Sequence, residues 1–462
     1  MIRADTSSSS RSQSPHRHDR SIALAPTTNA PTALARRLGL FDATMIVMGG
    51  IIGAGIFINP SVVARLVYTP GLILVPWIAG GAIALAGAFV YAELADRKPD
   101  VGGQYAYIRD AFHPMVAFLY GWTLLLVTQT GGMAAVAMTF AAYFRELSGT
   151  SLTTSFLAVT TLLVLTAINC LGVRAGSNVQ SALMVTKIVA VVVLVIAGAA
   201  SGGAGATAAP PNDAGWPVAA LAAAMVPVLF AYGGWQTASF VSGEMRAPRS
   251  DLPRALLIGV LGVVILYVAV NVVCVYVLGA DGLASTNTPA SAVMRQVLGP
   301  SGGQLIAIGI AISTVGFLSQ GMLTAPRVYF AMARDGVFFR GVGYVSPHSR
   351  APVAAIAVQG VWASVIAVSG KYEQILNYVV ALDAVFFGLT GAALLVLRRR
   401  EPRPVAGGFR MPGHPWTTLV FVGAFWALAV NTVIQNPRSA GIGVLILVAG
   451  VPAYFFWQRR LA

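Results

Sequence analysis

An apolar run from Phe41 to about Val67 is long enough to cross a bilayer, which takes about 20 residues. Its centre is Gly49-Gly50-Ile51-Ile52-Gly53-Ala54-Gly55-Ile56-Phe57. Four of those nine residues are glycine, the poorest helix former after proline. A backbone that leaves its helix in hydrocarbon must have its N–H and C=O groups satisfied by something else, and a polar ligand is one such partner. Close helix packing through the Gly49/Gly53 pair is the other reading. A dinucleotide fingerprint does not fit, because Gly53-x-Gly55 has Ile58 where the third glycine belongs and no soluble strand precedes it.

The rest of the chain makes the membrane the setting. Of 462 residues, 56% are hydrophobic and only 10% are charged, with mean hydropathy +0.75, against about 25% charged in soluble domains. Twelve candidate spans follow one another, at about 41–67, 72–97, 113–146, 153–170, 178–200, 217–246, 253–279, 301–334, 352–369, 373–397, 415–434 and 439–458. Residues 1–35 are rich in Ser, Pro, Thr, Arg and His and read as a disordered tail with no signal peptide. The net charge of +14 would suggest nucleic acid in a soluble protein; here it follows membrane topology. With the N-terminus in the cytoplasm, 24 Lys and Arg fall inside and five outside. By the positive-inside rule both termini are then cytoplasmic.

A second glycine pair interrupts span 6, at Phe230-Ala231-Tyr232-Gly233-Gly234-Trp235. It lies five spans after the first, and the two five-span units start from opposite sides of the membrane. That is the pattern of an inverted repeat, in which a ligand sits at the midplane between the breaks. Half-helix N-termini donate to an anion and freed carbonyls accept from a cation. A ligand with an α-carboxylate and an α-ammonium suits both ends. The pattern favours ligand binding over packing alone.

These residues resemble the amino acid–polyamine–organocation superfamily, and most closely its L-type amino-acid transporter branch. The resemblance rests on Gly50-Ile51-Ile52-Gly53-Ala54-Gly55-Ile56-Phe57 with Pro60, and on Tyr91-Ala92-Glu93-Leu94 with Gly102-Gly103-Gln104-Tyr105-Ala106-Tyr107. Phe230 to Trp235 with Glu244, Pro248 and Leu252-Pro253 adds to it, as does Arg327 with Ala333-Arg334-Asp335-Gly336. It runs from about 38 to 400 and is weaker in the last two spans. It implies an all-α polytopic membrane protein of the LeuT-type fold: 12 transmembrane helices, a 5+5 inverted repeat and two C-terminal helices. The expected division is a tail at 1–35, repeats at 36–200 and 201–400, and helices 11 and 12 at 401–462.

Carried over by resemblance, the amides of Gly53, Ala54 and Gly55 face a substrate carboxylate. The carbonyls of Ile51, Phe230 and Gly233 accept from its ammonium, and the Phe230 ring closes over it. Ala54 and Gln236 depart from the residues frequent at their positions. Lys187, inside span 5, takes by resemblance the place of a coupling sodium, as a proton carrier or a fixed surrogate; a lysine reaching for the cytoplasmic interface is the alternative. Thr128, Gln129 and Ser313 are candidate cavity-lining residues, with Thr314 and Gln320. Asp383 in span 10 is either a structural or a functional acid. Glu93 belongs to an inner polar network with Arg97 as a candidate partner.

The implied function is secondary transport of small or medium neutral L-amino acids across the plasma membrane, sodium-independent, by exchange or proton coupling. Cationic amino acids or polyamines are the alternative substrates. An enzyme is disfavoured because His16, His18, His113, His348 and His414 lie in the tail, in loops or at a span end. A channel lacks a filter-like ring, and no Walker motif is present. Cys170 and Cys274 sit in apolar segments and suggest neither disulfide nor metal. Residues 145–153 contain no cysteine, so no disulfide-linked heavy chain is implied. The expected partners are the amino-acid substrate and membrane lipid, with no cofactor and no nucleic acid.

Overall fold

The computed structural model describes residues 34–203, 218–369, 372–401, 408–435 and 437–459. Most of the tail read as disordered therefore lies outside the described residues. Among those residues there is no named strand, only one isolated bridge between Leu38 and Met245.

The first apolar run forms two helices. α1 (Leu40–Ile51) starts where Asp42 accepts from the Gly39 amide at 3.0 Å, a carboxylate placed at the positive end of the helix. The chain leaves the helix at Ile52, with ψ 89°, and α2 (Gly55–Val67) begins three residues later. α3 (Pro70–Arg97) follows, then a short α4 (Gln104–Ala111) and α5 (Pro114–Thr123). Residues Leu124–Thr128 wind as one wide π-turn before α6 (Gln129–Ser148). α7 (Thr154–Cys170) and α8 (Val173–Ala200) complete the first half. α9 (Val218–Tyr232) ends at the second glycine pair, and a tight 3₁₀ helix, Trp235–Glu244, continues it. Then come α10 (Pro248–Ser285), α11 (Pro289–Thr324), α12 (Pro326–Arg334), α13 (Val353–Ser369), α14 (Tyr372–Arg400), α15 (Trp416–Gln435) and α16 (Pro437–Gln458).

Counting broken helices through their breaks, ten stretches among the described residues are long and apolar enough to cross a membrane. Two shorter apolar helices, Thr154–Cys170 and Val353–Val368, coincide with the expected spans 4 and 9. At 1.5 Å per residue, 17 residues reach roughly 25 Å. The outer surface agrees with a lipid setting. On α8, Val185, Val189, Val193 and Ile196 form an exposed apolar stripe, while Gln180, Met184, Lys187 and Val191 on the opposite face are buried. Water would penalise such a stripe, and hydrocarbon does not. The protein is a multi-pass membrane protein.

One end of the bundle is sealed around the 3₁₀ helix. Gly103, with φ +44°, lets the α3–α4 loop press on the Ser239 backbone; a Cβ there would lie 2.5 Å from the Ser239 oxygen. The Gly102 amide donates to the Phe240 carbonyl at 3.1 Å. Glu244 ends the 3₁₀ helix, and its carboxylate accepts from Arg327 of α12 at 2.5 and 3.2 Å, both side chains fully buried. Its carbonyl accepts from the Arg37 and Leu38 amides. Nearby, Glu93 accepts from Arg97 at 2.9 Å, from Arg398 and from the Met411 amide. The expected inner network thus spans α3, α14 and the loop after it. Arg109 binds Asp335 at 2.7 Å. Burial opposes its charge, but Asp335 and Asp110 outweigh that and raise its pKa.

A buried ion pair is most costly when halved, by about 3–5 kcal/mol. Arg327→Met should therefore lower the thermal midpoint of the purified protein in detergent sharply. Adding Glu244→Gln should restore part of the loss. Additive losses in the double variant would contradict the pairing.

Candidate functional site

The two breaks lie against one another. A Cβ on Gly50 would stand 2.4 Å from the Gly234 oxygen, and one on Gly234 only 2.0 Å from the Gly50 oxygen. Gly234 also has φ +109°, a region that side chains disfavour. The contacts continue in antiparallel register. The place of a Gly55 Cβ is 3.2 Å from Ala231, and Asn59 Nδ2 donates to the Pro227 carbonyl at 2.7 Å. Along the first broken helix the chain rises as it descends along the second.

A cavity of about 280 Å³ opens between the breaks, walled also by α6, α11, α14 and α15. It extends toward Ile58 and Phe230, which are 37% and 42% exposed, away from the sealed end. Ile51, Gly53, Ala54, Gly55, Phe230 and Gly233 all line it. So do Thr128 and Gln129, brought there by the π-turn. Ser313 does not. It shares a stripe of α11 with Phe317 and Gln320, which reach the cavity, but sits one turn beyond Phe317 and is fully buried.

The backbone groups at the break divide by sign. At the carbonyl end of α1, Ile51 O accepts from the Gly53 amide at 2.8 Å and from the Tyr267 hydroxyl at 2.9 Å. Ile52 O accepts from the Lys187 ammonium. Lys187 is 1% exposed, so it does not reach the interface. It places a hydrogen-bond donor at the carbonyl end of α1. At the amide end of α2, Gly53 N–H is already engaged, while the Ala54 and Gly55 amides form no bond among the described residues. These point where the positive end of α2 favours an anion. At the end of α9, Phe230 O accepts from the Gly233 amide at 3.1 Å, leaving one lone pair.

Side chains that sequence reasoning passed over complete the wall. Asn59 and Phe317 line the cavity, as does Thr237, whose hydroxyl donates to Gly234 O at 2.6 Å and accepts from Gln320. Gln236 accepts from the Gly234 amide at 2.9 Å. Asn59 and Tyr267 were visible as polar groups within apolar runs, but their backbone partners are distant in sequence.

Residues 38–454 match the family model described as amino acid permease. The chain belongs to the amino acid permease family. Over 450 residues this permease is 31% identical to the large neutral amino acids transporter small subunit 2 of Homo sapiens, covering 93% of this chain and 82% of that one. It is 30% identical over 446 residues to the Asc-type amino acid transporter 1 of Mus musculus, covering 93% and 83%. The serine/threonine exchanger SteT of Bacillus subtilis is 28% identical over 434 residues, covering 93% and 98%. These relatives bear out the resemblance to the L-type branch.

The two break glycines differ in what they tolerate. A Cβ on Gly53 would meet only the Phe317 ring, at 3.4 Å, whereas one on Gly234 strikes backbone. Gly234→Ala should cut the yield of folded permease, through at least the ~1–2 kcal/mol of left-handed backbone strain. Gly53→Ala should stay near wild type in thermal stability. Equal stability of the two variants would contradict the contact.

Proposed function

We propose that this permease is a secondary transporter of small or medium neutral L-amino acids across the plasma membrane. It works by sodium-independent alternating access, through exchange or proton coupling. The observation that carries the reading is the cavity whose walls offer open amides at one break and carbonyls at the other. The neutral amino acids in the names of the relatives support it, and family and relatives alike are transporters rather than enzymes.

In this reading the substrate carboxylate takes the amides of Ala54 and Gly55 at the α2 N-terminus. The ammonium takes the carbonyls of Phe230 and Gly233. Gly53 and Ile51 stay in the wall, but their backbone bonds are made to each other and to Tyr267. Lys187 acts as the fixed cation at the end of α1, where a sodium ion would otherwise compensate the carbonyls. The Phe230 ring stands at the open side of the cavity and closes over the substrate, a gate of the kind that limits turnover.

The antiparallel register of the broken helices supports an inverted repeat of 36–200 and 201–400, with 401–462 appended. Ten long and two shorter apolar helices support twelve spans. With the arginine-rich sealed end in the cytoplasm, both termini are cytoplasmic and the cavity faces outward. No cysteine at 145–153 offers a covalent link to a partner.

Uptake of radiolabelled amino acids into proteoliposomes tests this. Uptake should saturate, accelerate when unlabelled substrate is loaded inside or a pH gradient is imposed, and persist when choline replaces sodium. Loss of uptake without sodium would contradict the role of Lys187. Unsaturable flux indifferent to internal substrate would contradict the transporter.

A further inference from the structure

Among the described residues one acid lines the cavity. Asp383 of α14 lines it, with Thr128 of the π-turn as its polar neighbour. No lysine, arginine or histidine among the described residues lines the cavity. Among the described residues no cation pairs with Asp383.

Apart from Gln129, which lines the cavity next to Thr128, the other polar side chains here already have partners. Asn59 holds Pro227 O, Gln236 holds the Gly234 amide, and Gln320 and Thr237 hold each other and Gly234 O. Those bonds brace the breaks and leave little for a ligand. The Thr128 hydroxyl, by contrast, is buried and without a hydrogen-bond partner among the described residues. A carboxyl group with only a hydroxyl as polar neighbour and no cation beside it keeps acceptor capacity for a donor. Their surroundings are apolar, with Val379 and Ala384 on α14 and Leu124 beside Thr128. A purely alkyl ligand would fill that space but offer the acid no donor beyond Thr128.

We infer that Asp383, with Thr128 beside it, forms the subsite for the substrate side chain. It selects amino acids whose side chain ends in a hydrogen-bond donor over alkyl side chains of the same size; a hydroxyl keeps the substrate neutral, and an ammonium would extend the neutral class to cationic members. The inference rests on the reading of the cavity as an amino-acid site and adds to it the class of side chain. A site built around a polar contact rejects the analogue lacking it far more strongly than an apolar pocket rejects a misfit. The backbone groups of the two breaks hold what all α-amino acids share, so discrimination falls to the opposite wall.

Equilibrium competition on the purified full-length permease in detergent separates the alternatives. Two isosteric series serve as probes. The first is 2-aminobutyrate, serine and 2,3-diaminopropionate; the second is norvaline, homoserine and 2,4-diaminobutyrate. In at least one series a donor-bearing member should bind about tenfold or more tighter than its alkyl isostere, the scale of a hydrogen bond to a charged group. Asp383→Asn should bring that ratio to within about threefold, and Thr128→Val should lower it by less. Should Asp383→Asn fail to fold, the isosteric Thr128→Val must still lower the ratio. The inference is overturned if neither series shows a preference in the wild type. It is also overturned if the folded variants weaken every ligand by a common factor with the ratio intact. If no amino acid of any kind competes, the reading of the cavity itself falls, an outcome distinct from either.

Discussion

The backbone contact between Gly50 and Gly234 is the constraint from which the rest of the site follows. Two chains can approach to backbone distance only where neither carries a Cβ, and here both helices have also let go of their hydrogen-bond ladders. In hydrocarbon each released amide and carbonyl must then be matched. Some matches are internal: Gly53 to Ile51, Gly233 to Phe230, Tyr267 to Ile51 and Lys187 to Ile52. The groups left over lie on the cavity wall. The site is thus what remains of two broken helices after the protein has satisfied what it can.

The same geometry explains the closed end. Because the broken helices run antiparallel, the start of α1 meets the end of the 3₁₀ helix, where Glu244 binds Arg327 through its carboxylate and Arg37 and Leu38 through its carbonyl. A buried pair of this kind is weak as a source of stability but strong as a fixer of geometry once both partners are present. It holds one end shut while the Phe230 end stays open. In the proposed cycle that asymmetry must reverse. The polar contacts around Glu93, Arg109 and Glu244 are then the ones that break, since hydrogen bonds can re-form elsewhere more readily than packed apolar cores can be rebuilt.

Much of this was legible in the sequence, for reasons of local chemistry. Glycine pairs in the middle of apolar runs announce broken helices, because no other residue is so poor a helix former and so small. A lysine within a span announces a buried partner, yet that the partner is the Ile52 carbonyl depends on how α8 packs against α1, which no local pattern encodes. The π-turn at Leu124–Thr128 leaves no compositional trace, and without it the placement of Thr128 and Gln129 could only be guessed. Ser313 was visible as a polar residue in a span, but a cavity ends somewhere along a helix, and only packing says where. Asp383 was visible as an acid in a span; its freedom from any cation among the described residues is a tertiary fact.

In the proposed function, backbone groups at the two breaks hold both charged ends of an α-amino acid. The most direct measurement compares the equilibrium affinity of the purified protein for one transported amino acid with that for its N-acetyl derivative and its carboxamide. Each derivative removes one charge and keeps the side chain. Both should bind weaker by about a hundredfold or more, as expected when a polar subsite is left unpaired. An N-acetyl or carboxamide derivative that binds as tightly as the parent would contradict the account.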